Sequence, residues 1–203
     1  MAEQKDIKVV LVGDSGIGKT CLIKRYVEGT YSSENESTTV ATYSNKKLQI
    51  GGLNISLDIW DTAGQELYRA LSKNFYLNAS IGILVYDITR KDSYEHLKDY
   101  WFDQLKTSGE ENMVLGIAGN KCDMMADSKV DQKEVSDYAK KQEAVFYLTS
   151  CKDNIGVDNI FEECAKKYIE KNDKNKTPNP KEGFSLKPDN GNKDSKNKGK
   201  KCC

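Results

Sequence analysis

The 203-residue sequence predicts an α/β domain: a mostly parallel six-stranded sheet with helices on both faces. Three observations carry that expectation. Short, continuous apolar runs, of which Lys8-Val9-Val10-Leu11-Val12 is the first, have the length and composition of strands buried on both sides. Stretches with helical spacing of apolar residues lie between these runs. A glycine-rich turn joins the first run to the first such stretch, as a strand followed by a covering helix requires.

The elements follow in chain order. After the first strand, Cys21 to Val27 reads as a helix with Leu22, Ile23 and Tyr26 on one side. Glu28 to Thr42, rich in Ser, Thr, Glu and Asn, reads as a long surface loop. Lys47 to Ile50 and Ile55 to Trp60, parted by Gly51-Gly52, form a hairpin. Ile81 to Tyr86, Met113 to Ala118 and Val145 to Leu148 supply three further strands. Helical stretches run over about Ser93–Leu105, Val130–Lys141 and Ile160–Glu170. In a sheet of this kind ligands sit beyond the carboxyl ends of the strands, so function is to be sought there.

Composition bounds the organisation. Hydrophobic residues make up 37% and charged residues 31%, enough for one cored domain with a solvated surface. Lys+Arg 31 balances Asp+Glu 31, so no global excess points to nucleic acid. The balance is uneven along the chain: residues 172–203 hold nine Lys against four Asp/Glu, and all three prolines. That segment has almost no apolar residues besides Phe184 and Leu186. It cannot bury enough surface to offset chain entropy, and a domain over 1–171 with a disordered tail over 172–203 is expected. No apolar run approaches the roughly eighteen residues of a membrane span, and the start, MAEQKDIK, is unlike a secretory signal. The six cysteines (Cys21, Cys122, Cys151, Cys164, Cys202, Cys203) contain no CxxC pair, and a lone His96 cannot complete a Cys/His zinc site. A reduced, cytosolic protein is expected.

The strand ends carry the chemistry. Gly13-Asp14-Ser15-Gly16-Ile17-Gly18-Lys19-Thr20 is a full GxxxxGK[ST] match, between a strand and a helix. Such a loop curls backbone N–H groups around phosphate oxygens, and the helix aims its N-terminus at the same anion. Lys19 supplies a cation to the β/γ-phosphates, and the Thr20 hydroxyl is a hard oxygen for Mg²⁺. The alternative is an ordinary glycine-rich strand-to-helix turn, but at average composition chance spells this pattern in only roughly one chain in a hundred of this length. After the third strand stands Asp61-Thr62-Ala63-Gly64-Gln65-Glu66. Asp61 there could hold Mg²⁺ through its water shell, Gly64 could turn an N–H to the γ-phosphate, and Gln65 could orient an attacking water. Read alone the segment is a polar turn; beside a phosphate loop it is a second half of the same site. After the fifth strand stands Asn120-Lys121-Cys122-Asp123. A carboxylate accepting from guanine N1–H and its 2-amino group rejects adenine, which leaves those acceptors unpaired. After the sixth strand, Ser150-Cys151-Lys152 could add a backbone N–H for the guanine oxygen and a lysine stem over the ring.

GDSGIGKT, WDTAGQE, NKCD and SCK, in this order, resemble the small GTPases of the Ras superfamily over roughly residues 7–170. GDSGIGKTCL, the WDTAGQE block and the Cys-Cys end are most similar to the Rab branch, which regulates vesicle traffic. The resemblance implies the P-loop fold of small G proteins, with Ser15 to Cys21 (Ser15, Gly16, Ile17, Gly18, Lys19, Thr20, Cys21) wrapping the phosphates of GTP or GDP. It implies Thr38, nineteen residues after Lys19, as a further Mg²⁺ ligand beside Thr20 and Asp61, and Tyr31 as the aromatic packed against guanine. Gly64 and Gln65 take the γ-phosphate and catalytic roles, and Asn120, Lys121, Asp123, Ser150, Cys151 and Lys152 read the base. An exchange factor, a GTPase-activating protein, effectors, a GDP-dissociation inhibitor and a prenylation escort are the implied partners, and a monomer is expected. The sequence departs from the Rab pattern at Thr39-Val40-Ala41-Thr42-Tyr43, at Phe75-Tyr76-Leu77-Asn78-Ala79, and at Cys151 in place of alanine. None of these removes a phosphate or base ligand. The first two fall where effectors and exchange factors dock, so the subfamily stays open.

Lys193, Lys196, Lys198, Lys200 and Lys201 precede Cys202-Cys203. A CaaX signal needs three residues after its cysteine and finds none, whereas a terminal Cys-Cys in Rab-like proteins implies two geranylgeranyl chains. Two chains with a basic stretch anchor stably where one does not. The expected location is the cytoplasmic face of an intracellular or plasma membrane, with a cytosolic pool. A tail of this length has a reach of about 30 Å, enough to hold the domain off the bilayer. Trp60 and Trp101 read as packing residues, His96 as an exposed helix residue, and Cys122 and Cys151 as small buried thiols rather than a redox-sensitive pair. The expected protein is a switch that binds and slowly hydrolyses GTP; the alternative is a non-hydrolysing, GTP-bound membrane scaffold.

Overall fold

The computed structural model describes residues 4–32, 42–61 and 76–174. Six strands, β1 (Gln4–Val12), β2 (Thr42–Ile50), β3 (Leu53–Asp61), β4 (Ile81–Asp87), β5 (Val114–Asn120) and β6 (Val145–Thr149), form one sheet in the order β2-β3-β1-β4-β5-β6. The β2–β3 hairpin is antiparallel and every other pairing is parallel. Helices α1 (Lys19–Glu28), α2 (Lys91–His96), α3 (Phe102–Ser108), α4 (Gln132–Lys141) and α5 (Val157–Lys174) cover it, as expected for this class. A π-helical turn (Leu97–Trp101) joins α2 to α3, and a 3₁₀ segment (Cys122–Asp127) follows β5.

Two apolar layers, one on each face, explain why the central strands are apolar throughout. Successive side chains of a strand point to opposite faces. Along β1, Ile7, Val9 and Leu11 join the layer of α1 and α5, with Leu22, Ile23, Ile160 and Phe161. Val10 and Val12 join the other, with Tyr94, Leu97, Trp101, Leu105, Val135 and Ala139. The parallel register levels the strand ends: Leu11 pairs with Asp61 and with Ile83, Asp87 with Asn120, and Asn120 with Thr149. Residues distant in sequence therefore emerge along one rim.

Several element boundaries differ from the sequence reading. β2 starts at Thr42, five residues before the expected strand, because Thr42 to Lys46 are partly exposed residues of a sheet-edge strand and carry no apolar run. Val130 is not helical: Asp131 caps α4, its carboxylate accepting from Lys133 N–H at 2.8 Å, and buried Val130 packs ahead of the cap. The single helix expected over Ser93–Leu105 is interrupted by the π turn, which apolar spacing alone does not reveal. The last helix runs on to Lys174.

Candidate nucleotide site

Gly13 to Thr20 leaves the end of β1 and enters α1 at Lys19. Two of its glycines are required by geometry. A Cβ on Gly13 would lie 2.3 Å from the Val85 carbonyl oxygen, and one on Gly18, at φ +98°, would lie 2.3 Å from Asn120 Nδ2. The Lys19 ammonium is buried inside the loop and donates to the carbonyls of Gly13 (2.8 Å) and Asp14 (2.7 Å). Burial lowers its pKa to about 8, while the negative charges of Asp61 and Asp14 work against that shift.

Thr20 and Asp61 meet across the gap between α1 and β3. The Thr20 hydroxyl donates to Asp61 Oδ2 at 2.6 Å, and Asp61 is a buried carboxylate. No group of three His, Cys, Asp or Glu side chains among the described residues is arranged to hold a metal. An ion here would be held by a hydroxyl, a carboxylate, water and phosphate. That hard-oxygen set is the one Mg²⁺ takes, and the pair fits it. Thr38, Gly64 and Gln65 lie outside the described residues, as does Val40.

The Asn120 to Asp123 segment is bonded directly to the Gly13–Thr20 loop. Asn120 Nδ2 donates to the Ile17 carbonyl at 2.7 Å, and its Oδ1 accepts from the Thr149 hydroxyl at 3.2 Å. The Cys151 thiol lies 3.6 Å from the same oxygen. Lys121 reaches the Gly16 carbonyl at 3.1 Å and pairs with buried Asp87 Oδ2 at 2.7 Å. Burial would raise the Asp87 pKa, yet bonds from Lys121 and Thr89 lower it overall, so the Asp87 carboxylate stays charged. Asp123 Oδ1 accepts from the Ser150 hydroxyl at 2.7 Å, and Ser150 Oγ in turn accepts from Asp153 N–H at 3.0 Å. Reciprocal backbone bonds between Ser150 and Ile155, at 2.9 and 3.0 Å, close the loop that carries Cys151 and Lys152.

Sequence reasoning missed the residues that hold these loops. Arg25 on α1 donates to the carbonyls of Cys151 (2.6 Å), Lys152 (3.1 Å) and Gly29 (2.8 Å). Its guanidinium also sits 5.7 Å from the ring centroid of Tyr31, which is exposed. Arg90 donates to the Ser15 carbonyl at 3.1 Å. His96 and Trp101 do more than the roles read for them. His96 is exposed, as expected, with its side chain 52% accessible, and its Nδ1 also lies 2.8 Å from Asp14 Oδ2. Trp101 is buried, as expected, but its Nε1–H also donates to Asp14 Oδ1 at 2.9 Å. Nothing local flags these contacts: the partners stand 82 and 87 residues apart. Of the thiols, Cys151 is buried and Cys122 only half-buried. Burial raises both pKa values, that of Cys151 to about 12.

The profile of the Ras family matches residues 8–170. The chain belongs to the Ras family. It is 41% identical over 165 residues to the Ras-related protein Rab-21 of Geodia cydonium, covering 81% of this chain and 72% of that one. Against Rab-22A of Homo sapiens it is 36% identical over 183 residues, 90% of this chain and 93% of the relative. Against Rab-5A of Dictyostelium discoideum it is 37% identical over 200 residues, 97% and 94%. The chain is therefore a small GTPase of the Rab type, acting in membrane traffic. It binds and hydrolyses guanine nucleotide, as the Ras family does. No helix among the described residues is long and apolar enough to cross a membrane.

Proposed function

We propose that GTP lies along the rim of strand ends, phosphates in the Gly13–Thr20 loop and guanine against Asp123 and the Ser150–Lys152 loop. The observation that carries this reading is the pair of bonds from Asn120 to Ile17 and from Lys121 to Gly16. They tie a base-reading segment to a phosphate-binding one, so that a single ligand would span both. Ser15 to Cys21 would wrap the phosphates, with Lys19 as their cation. The Ser150 hydroxyl fixes the Asp123 carboxylate so that its oxygens accept from the two guanine donors. Tyr31, beside Arg25, flanks the base. Thr20, Thr38 and Asp61 would hold Mg²⁺, which when bound neutralises charge on the phosphates. Gly64 would direct its N–H to the γ-phosphate, and Gln65 would orient the attacking water. Loss of the γ-phosphate releases the contacts of Thr38 and Gly64, and this is the switch. Hydrolysis by such sites is slow unaided, on the order of 10⁻⁴ to 10⁻³ s⁻¹, and a GTPase-activating partner would supply an arginine.

Within the same reading, Cys202 and Cys203 carry two geranylgeranyl chains and the lysine-rich stretch before them faces an anionic leaflet. Both cysteines lie outside the described residues. The protein would then cycle between the cytoplasmic face of a membrane and a soluble pool, handled by an exchange factor, effectors, a GDP-dissociation inhibitor and a prenylation escort.

Asp123→Asn tests the base assignment. The variant should lose several kcal/mol of GTP affinity and gain xanthosine triphosphate, whose 2-carbonyl accepts where guanine donates. Titration with both nucleotides reads the exchange directly, and unchanged GTP affinity would remove Asp123 from the site.

A further inference from the structure

A carboxylate stands in the phosphate loop. Asp14 is the second residue of GDSGIGKT, and a negative charge turned toward a bound polyphosphate would oppose it. The fold turns it away. Asp14 Oδ1 accepts from Trp101 Nε1 at 2.9 Å and Oδ2 lies 2.8 Å from His96 Nδ1, leaving the side chain 12% exposed. A carboxylate only accepts, so the imidazole proton of this bond sits on Nδ1. The backbone carbonyl of the same Asp14 receives the Lys19 ammonium at 2.7 Å. The next carbonyl, that of Ser15, is held by Arg90. One flank of the loop is thus fastened to the segment that follows β4.

The π turn makes this possible. His96 and Trp101 are five residues apart. On a regular α-helix they would point about 140° apart, at about 100° per residue. In an i→i+5 turn residues five apart lie nearly above one another. The turn over Leu97–Trp101, closed by the Phe102 N–H to the Leu97 carbonyl, separates these two residues, and both reach the same carboxylate. Leu97 and Trp101 are buried in the layer under the sheet, so the turn is set in the core rather than free to shift.

We infer that the π turn, with His96 and Trp101, is a clamp on Asp14 that sets the phosphate loop, and that Asp14, His96 and Trp101 are positioning residues for nucleotide retention. The clamp keeps the carboxylate off the phosphates and fixes the carbonyl on which Lys19 rests. The inference rests on the phosphate-loop reading proposed above.

The test is release of N-methylanthraniloyl-GDP from the full-length protein. His96→Ala and Trp101→Phe should each speed release about five- to tenfold, the worth of one such hydrogen bond. His96→Asn places an amide N–H near the imidazole Nδ1 and should stay within about twofold of wild type. In an Asp14→Ala background neither change should accelerate release further. Because Trp101→Phe also removes core volume, exposed His96 provides the variant that leaves the fold intact. The clamp is overturned if His96→Ala and Trp101→Phe leave release unchanged, if they act equally with and without the Asp14 carboxylate, or if His96→Asn is as fast as His96→Ala. A wild-type protein that holds no labelled GDP would instead overturn the phosphate-loop reading, and the clamp with it.

Discussion

Replacing Gly18 by Ala perturbs the joint between the two halves of the candidate site, and its cost can be worked from the geometry. The added Cβ would stand 2.3 Å from Asn120 Nδ2 and sit at φ +98°, where side chains are strained. The left-handed backbone costs about 1–2 kcal/mol. The amide must move, and its bond to the Ile17 carbonyl breaks inside a buried region, for a further 1–3 kcal/mol. The total is about 3 kcal/mol. Asn120→Ala alone removes the same bond, together with that from Thr149, and should cost about 2 kcal/mol. The double variant has no amide left to displace, so only the backbone strain adds to the loss of Asn120. It should cost about 3.5 kcal/mol rather than the 5 of simple addition, a coupling of about 1.5 kcal/mol. Urea unfolding of the four proteins, followed by far-ultraviolet circular dichroism, measures it. Additivity within about 0.5 kcal/mol would refute the reasoning, since the methyl would then be meeting something other than Asn120.

Three further outcomes are expected. Arg25→Met removes the donor shared by the Cys151 and Lys152 carbonyls and should speed GDP release roughly tenfold. Unchanged release in a stopped-flow assay would mean that the Ser150–Ile155 bridge alone holds the loop. Leu105→Ala empties a fully buried position packed on Gly82 and should cost about 3 kcal/mol in urea unfolding, with a value below 1 showing that the layer collapses around it. The Cys151 thiol, pushed by burial from 9.0 up to about 12, should hold about a thousandfold less thiolate at pH 8 than an ordinary cysteine. Its alkylation by iodoacetamide, mapped by peptide mass spectrometry, should be slow at pH 8 and rise with pH toward 12, and rapid labelling at pH 8 would restore the redox reading.

How much of this protein was legible in one dimension depends on the range of the interactions involved. The strand-turn-helix at Val12 to Thr20 is visible because each part constrains its neighbours: an apolar run, glycines where a Cβ would collide, and a lysine and hydroxyl at fixed offsets. The hairpin is legible from its Gly51-Gly52 turn between two strand-like segments, and the central strands because burial on both faces writes itself as an unbroken apolar run. The edge strand β2 began earlier than its apolar pattern because an exposed edge asks only for backbone pairing, which most residues satisfy. Asn120, Lys121 and Asp123 could be named from their order in the chain. That Asn120 bonds Ile17 and Ser150 bonds Asp123 could not, because those contacts depend on the register that levels the strand ends. The same holds for Arg25 and for Asp14 with His96 and Trp101. A hydrogen bond across eighty residues leaves no period, and a single π turn shifts a helix face without changing the apolar spacing enough to betray it. The sequence by itself determined which elements carry the candidate groups Lys19, Thr20, Asp61, Asn120 and Asp123. The tertiary structure decided which of them touch, because that is set by how separate helices pack on a shared sheet.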